Sequence, residues 1–250
     1  MTVKIEETFD RFSQLTEAIC YWLGFQTNIG RKQFIHEASL RYPIADAVTK
    51  DNYAVNQIKL ESVHPLFKGK RVDLAIFEDI SKESSLKEMY EFKIAKYTSE
   101  KGDEHQRVFN DVVRLAYYNL VSKKECYFLM CGSFEDFKQY FVGDNNKPSS
   151  DDGAVKLNQR NQKAISWRPK GIYQDWFKFE QKKDTEISFK SNDPDWGLPK
   201  FKSTYSLNDK LKDKSFFNPN EITIKTTCMA ISPYRDERTH AAGIWKIEMK

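Results

Sequence analysis

No run of about 18 apolar residues occurs in this sequence, which leaves no segment to span a bilayer as a helix. Cysteine is scarce: Cys20, Cys126, Cys131 and Cys228 are scattered, form no CxxC pair and are not spaced with histidines as zinc ligands. Their apolar surroundings read as reduced core positions in a reducing compartment. A Gly-rich phosphate loop is missing, as is a Ser or Cys nucleophile motif, so P-loop and hydrolase-triad chemistries find no support. No internal repeat points to a solenoid. The opening MTVKIEETFDRF is acidic and amphipathic, the wrong character for a signal peptide, and the expected location is the cytoplasm.

What is present suits a folded chain. Of 250 residues, 40% are hydrophobic, 14% aromatic and 30% charged, enough to bury a core under a mixed-sign surface. Lys and Arg outnumber Asp and Glu by 40 to 36, a formal charge of +4. That balance permits a polyanionic ligand without requiring one, because a basic groove beside an acidic metal site nearly cancels in the total.

Ile5, Phe9, Phe12, Leu15, Ile19, Trp22 and Leu23 recur at helical spacing, with Gly24 as the expected stop. A second helix is predicted over 31–40, and Pro43 argues against its continuing further. The period then changes to two. Strands are predicted at 53–62, at RVDLAIFED with Val72, Leu74 and Ile76 on one face, and at EMYEFKIAKY. A helix follows with a stripe of Val108, Val112, Leu115, Ala116 and Leu120, then the strand CYFLMCG and the helix FEDFKQYF. The order helix, strand, strand, strand, helix, strand, helix implies a mixed α/β core. We divide the chain into a core with N-terminal helices at 1–142, a polar loop or insertion at 143–166, and a C-terminal appendage packed on the core at 167–250. The appendage includes two strand candidates, EITIKTTCMAISP and GIWKIEM. In WRPKGIYQDWFKFE, Trp167, Tyr173, Trp176 and Phe177 alternate with Arg168, Lys170 and Lys178. We read these rings as packing the appendage, the alternative being stacking on single-stranded nucleic acid.

Period two turns Tyr90, Phe92 and Ile94 inward and puts Glu91 and Lys93 together on the opposite face. Asp73 lies on the preceding strand, and cross-strand neighbours sit about 5 Å apart. Two carboxylates that close need a proton or a divalent cation between them. Hard oxygen ligands beside one lysine suit Mg²⁺ or Mn²⁺. Glu-x-Lys alone is weak evidence. It gains weight from Asp73, from Glu37 on a preceding helix and from the element order.

This constellation resembles the PD-(D/E)XK nuclease superfamily over about 25–142, on the strength of Asp73, the Glu91-Phe92-Lys93 triplet and Glu37. Val72 stands where the family name has Pro, and the Asp-to-Glu separation is generous. The resemblance implies a restriction-endonuclease-like α/β core, a central mixed β-sheet flanked by helices, with a C-terminal appendage containing a β-hairpin. It implies Asp73, Glu91 and Lys93 as catalytic residues, and Glu37, Asp73, Glu91 and the Phe92 backbone carbonyl as ligands for Mg²⁺ or Mn²⁺. Arg71, Gln106 and Arg114 become candidates for nucleic-acid contact, Asp111 and Arg114 otherwise forming a surface pair. His64, in a turn before Pro65, reads as structural. The implied activity is hydrolysis of phosphodiester bonds, in DNA before RNA, in the service of restriction or defence against foreign DNA. The alternative is a catalytically silent nucleic-acid-binding or assembly protein of the same fold. A homodimer or a partner protein would fit double-strand cleavage, and no membrane is implied.

Overall fold

A computed structural model describes residues 2–49, 53–95, 101–141, 156–157, 164–165, 173, 175–190, 197–211, 213–217, 220–232 and 239–250. Helices α1 (Thr2–Asn28) and α2 (Glu37–Thr49) lead into strands β1 (Ile58–Val63), β2 (Arg71–Phe77) and β3 (Leu86–Ala95). Then come α3 (Lys101–Ser122), β4 (Glu125–Ser133), α4 (Phe134–Phe141) and the two-residue strands β5 (Lys156–Leu157) and β6 (Ala164–Ile165). The chain continues through β7 (Asp184–Lys190), α5 (Leu198–Thr204), β8 (Glu221–Ile231) and β9 (His240–Met249).

Seven strands make one mixed sheet in the order β1-β2-β3-β4-β9-β8-β7. Neighbours are antiparallel except β3 and β4, which are parallel with α3 as their crossover. A strand in the middle of such a sheet is buried on both faces, and β3 is: Tyr90, Phe92 and Ile94 join Leu15 and Ile19 of α1 and Leu40, Ile44 and Val48 of α2. On the opposite face Met89 packs with Val108, Val112 and Leu115 of α3 and with Tyr173, Trp176 and Phe177. The result is three layers, with about 1.5–3 kcal/mol of transfer free energy for each large apolar side chain so buried. Among the described residues no helix is long and apolar enough to cross a membrane. All four cysteines are free and buried.

Three differences from the sequence reading have physical causes. Gly24 does not end α1. The helix passes through it to Asn28, since burial of Ile19 and Leu23 outweighs the roughly 1 kcal/mol that an internal glycine costs. It ends instead at Gly30, whose φ of 75° permits the bonds from Gly30 N–H to the Thr27 carbonyl and from Arg31 N–H to the Gln26 carbonyl. The second helix starts at Glu37 after a single 3₁₀ turn, Lys32–Phe34, and runs through Pro43. Leu40, Ile44 and Val48, one turn apart and all buried, hold it together across the missing proline donor.

The third difference concerns 167–250. Its two strands do form the expected hairpin, but β9 pairs directly with β4, so this segment completes the central sheet rather than lying on it. Ile244, Trp245 and Ile247 are each fully buried, as a central strand requires. Tyr173, Trp176 and Phe177 are core residues, while Trp167, Arg168 and Lys170 lie outside the described residues. Of the expected loop at 143–166, only β5 and β6, paired antiparallel, are described.

Candidate active site

Strands β2 and β3 stay paired from Phe77–Leu86 to Leu74–Tyr90. The next residues are Asp73 and Glu91, and here regular pairing gives way. On the other side of β2, Glu61 falls between the pairs Leu60–Leu74 and Ser62–Val72 with a φ of 50°, a left-handed conformation that bends β1 opposite Asp73. Asp73 Oδ2 accepts the Phe92 N–H at 2.8 Å. A strand residue turns its N–H and its carbonyl to the same edge, so the Phe92 carbonyl also faces the Asp73 side.

Glu91 and Lys93 project toward α3, 3% and 5% exposed. Their partners come from two helices, each supplying residues one turn apart. From α3, Arg114 lies 2.8 Å from Glu91 Oε1 and 2.6 Å from Asp111, and Asp111 lies 3.5 Å from Lys93 Nζ. From α2, Glu37 reaches Lys93 Nζ at 3.0 Å, and Arg41 bridges Asp73, at 3.1 Å, and Glu61. Glu37, Lys93, Asp111, Arg114 and Glu91 thus form one chain of ion pairs, and Asp73, Arg41 and Glu61 a second that meets it where Asp73 and Glu91 approach.

Burial dominates its electrostatics. The Glu91 carboxyl is pushed well above the usual range by desolvation, with Asp111 and Asp73 adding to the shift against Arg114. The Glu91 and Asp73 carboxyls come within hydrogen-bonding reach of each other, which also favours a proton there. Asp73 is raised by burial, opposed by the Phe92 N–H and Arg41. Burial alone would lower the Lys93 ammonium, yet Asp111, Glu37 and Glu104 more than offset it and hold the proton firmly.

The donor set fits a divalent cation in part. Two carboxyls crowd together, and the Phe92 carbonyl shares their edge. Glu91 Oε1 accepts no hydrogen bond in spite of Arg114 nearby. Among the described residues, however, no three His, Cys, Asp or Glu side chains are grouped to hold an ion. A cation here would rest on two side chains and a backbone carbonyl, with Glu37 committed to Lys93.

No protein-family model, curated protein or solved structure matches the chain. The arrangement thus has to be judged on its own geometry.

That geometry treats the three expected nucleic-acid contacts differently. Arg71 is exposed at the start of β2 and donates to the Glu61 carbonyl at 2.9 Å. Gln106 is buried and spends its amide within the protein: it donates to Asn110 Oδ1 and the Gly197 carbonyl and accepts the Gly197 N–H. Its setting is a brace between α3 and the start of α5. Arg114 is also buried, donating to the Arg71 carbonyl at 2.9 Å besides its carboxylate partners. The pair with Asp111, read from sequence as a surface pair, is interior. His64 is fully buried, and its Nδ1 accepts the Leu66 N–H at 3.1 Å.

Sequence reading missed Arg41, Glu61 and Glu104. Arg41 carried a usable signal, since it sits four residues after Glu37 on the same helical face. Glu61 did not, because nothing local announces a left-handed glutamate inside a strand.

Proposed function

We propose that this chain is a metal-dependent nuclease that hydrolyses phosphodiester bonds, in DNA before RNA, and serves restriction or defence against foreign DNA. The observation that carries the reading is the meeting of Asp73 and Glu91 where β2 and β3 part, with Lys93 in the same buried network. Asp73, Glu91 and the Phe92 carbonyl are the groups that would hold Mg²⁺ or Mn²⁺. A cation bound there supplies Lewis acidity toward the phosphate and offsets its charge. Lys93, kept protonated by three carboxylates, acts as a fixed positive donor to a phosphate oxygen. Arg114 keeps Glu91 and Asp111 from repelling each other, and exposed Arg71 is placed to steady the substrate backbone.

One observation favours the rival, a silent nucleic-acid-binding or assembly protein: Asp73, Glu91 and Asp111 already have cationic partners. Incubating the full chain with linear, circular and single-stranded DNA and with RNA, with and without Mg²⁺ or Mn²⁺, separates the two. Metal-dependent cleavage that falls about 100-fold or more in Lys93→Ala is expected. Cleavage of no substrate by the wild type, or equal rates in the variant, would sink the nuclease reading.

A further inference from the structure

Beside the carboxylate network lies an open cleft of about 470 Å³ between α1, α2 and the middle of β1, within the range of small-molecule sites. Its apolar lining includes Trp22 from α1, Tyr42 and Pro43 from α2, and Leu60 from β1, with His36 and Ser39 adding polar groups. Arg41 and Glu61 also line it. Tyr42 is 70% exposed, although α2 buries Leu40, Ile44 and Val48 on its other side. The fold uses that face and leaves the tyrosine ring to solvent.

Arg41 connects the cleft to the chemistry. It lines the cleft, and its guanidinium is also ion-paired to Asp73 Oδ1 at 3.1 Å. Anything seated in the cleft is therefore one side chain away from the proposed reaction centre. Glu61 adds a second observation. Its left-handed backbone, at a φ of 50°, is a conformation that costs a non-glycine residue energy and persists only where the surroundings impose it. Here it brings the carboxylate to Arg41 at the cleft wall, still 40% exposed and able to accept further hydrogen bonds.

A flat ring, two aromatic side chains, a guanidinium and an accepting carboxylate describe the recognition of an unstacked base. We propose that this cleft receives one unpaired nucleobase of the substrate, the one next to the phosphodiester presented to Asp73 and Glu91. Tyr42 and Trp22 stack on the base. Glu61 accepts from its exocyclic amine, favouring adenine, cytosine or guanine over thymine, which lacks that donor. The inference rests on the nuclease reading, since only a nucleic-acid substrate brings a base and a phosphate to neighbouring sites.

The test measures binding apart from cleavage. Fluorescence anisotropy of a labelled single-stranded oligodeoxynucleotide of mixed sequence, in EDTA, is compared for wild type, Tyr42→Ala and Tyr21→Ala. Tyr21 is 79% exposed on α1 and does not line the cleft, so it controls for loss of any surface aromatic ring. Tyr42→Ala is expected to weaken binding about 5- to 150-fold, the range of one base–aromatic stack, while Tyr21→Ala stays near wild type. Glu61→Ala is expected to erase a preference for an all-adenine over an all-thymine strand. Equal affinity of wild type and Tyr42→Ala, or an equal loss in Tyr21→Ala, overturns the cleft proposal and leaves the nuclease reading intact. Failure of the wild type to bind any strand overturns the cleft proposal too, while the nuclease reading stands or falls on the cleavage assay.

Discussion

Replacing Arg114 by Met tests whether the network is as buried as its geometry says. The methionine fills much of the arginine stem, so the loss falls mainly on charge and hydrogen bonding. The side chain is 8% exposed and touches Glu91 at 2.8 Å, Asp111 at 2.6 Å and the Arg71 carbonyl at 2.9 Å. Removing one partner of a buried ion pair leaves the other charge uncompensated and costs about 3–5 kcal/mol, against about 0–1 for an exposed pair. For a chain of this length each kcal/mol moves the Tm by about 2–4 °C, so a fall of about 6–20 °C is expected. Urea unfolding followed by far-UV circular dichroism gives the free energy directly. The double variant Arg114→Met/Asp111→Asn removes the carboxylate stranded 2.6 Å away as well, and should lose at least about 1 kcal/mol less than the sum of the single losses. A single-variant loss under about 1 kcal/mol, with additive behaviour in the double, would mean that the pair is effectively solvated and the reasoning wrong.

Two further outcomes follow from the same geometry. Because burial raises the folded-state pKa of Glu91, its contribution to stability is complete below the ordinary value of 4.5 and is lost as pH rises through the folded value. Glu91→Gln should therefore gain on the wild type as pH rises from 5 to 8, by at most about 1.4 kcal/mol per pH unit, in urea midpoints without divalent cation; a pH-independent difference contradicts the assignment. In the parallel pair β3–β4, a Cβ on Gly132 would sit 2.6 Å from the Ala95 carbonyl oxygen. Gly132→Ala should cost about 1–3 kcal/mol, and an unchanged Tm would show that the strands tolerate the shift.

The local part of this structure was readable, and the long-range part was not. Alternation in EMYEFKIAKY was enough to separate Tyr90, Phe92 and Ile94 from Glu91 and Lys93, because the period of a strand is a property of the backbone. Asp73 could be expected near Glu91 once two adjacent strands were read as a hairpin. Arg114 shows the limit of such reasoning. Its spacing from Asp111 gave the pair correctly, but whether the pair faces water or Glu91 depends on how α3 lies on the sheet, which spacing does not encode. Gln106 misled in the same way, since its brace to Gly197 joins segments far apart in the chain. Pro43 and Gly24 show propensity overruled by burial, and β9 shows the same for topology. Nothing local to GIWKIEM says that its neighbour is β4 rather than β8 alone.

That position of β9 also bears on how the molecule is made. Synthesis proceeds from the N-terminus, so β4 emerges with one edge of its backbone hydrogen-bonding groups unclaimed until His240–Met249 has left the ribosome. Every residue of the carboxylate network precedes that point in the chain. The nascent protein can thus carry all its reactive groups while the sheet that fixes them still lacks a central strand, and the closure of β4 by β9 joins segments of large sequence separation, a slow step by loop-closure entropy. Assembly of the site is tied to the arrival of a strand that contributes no residue to it.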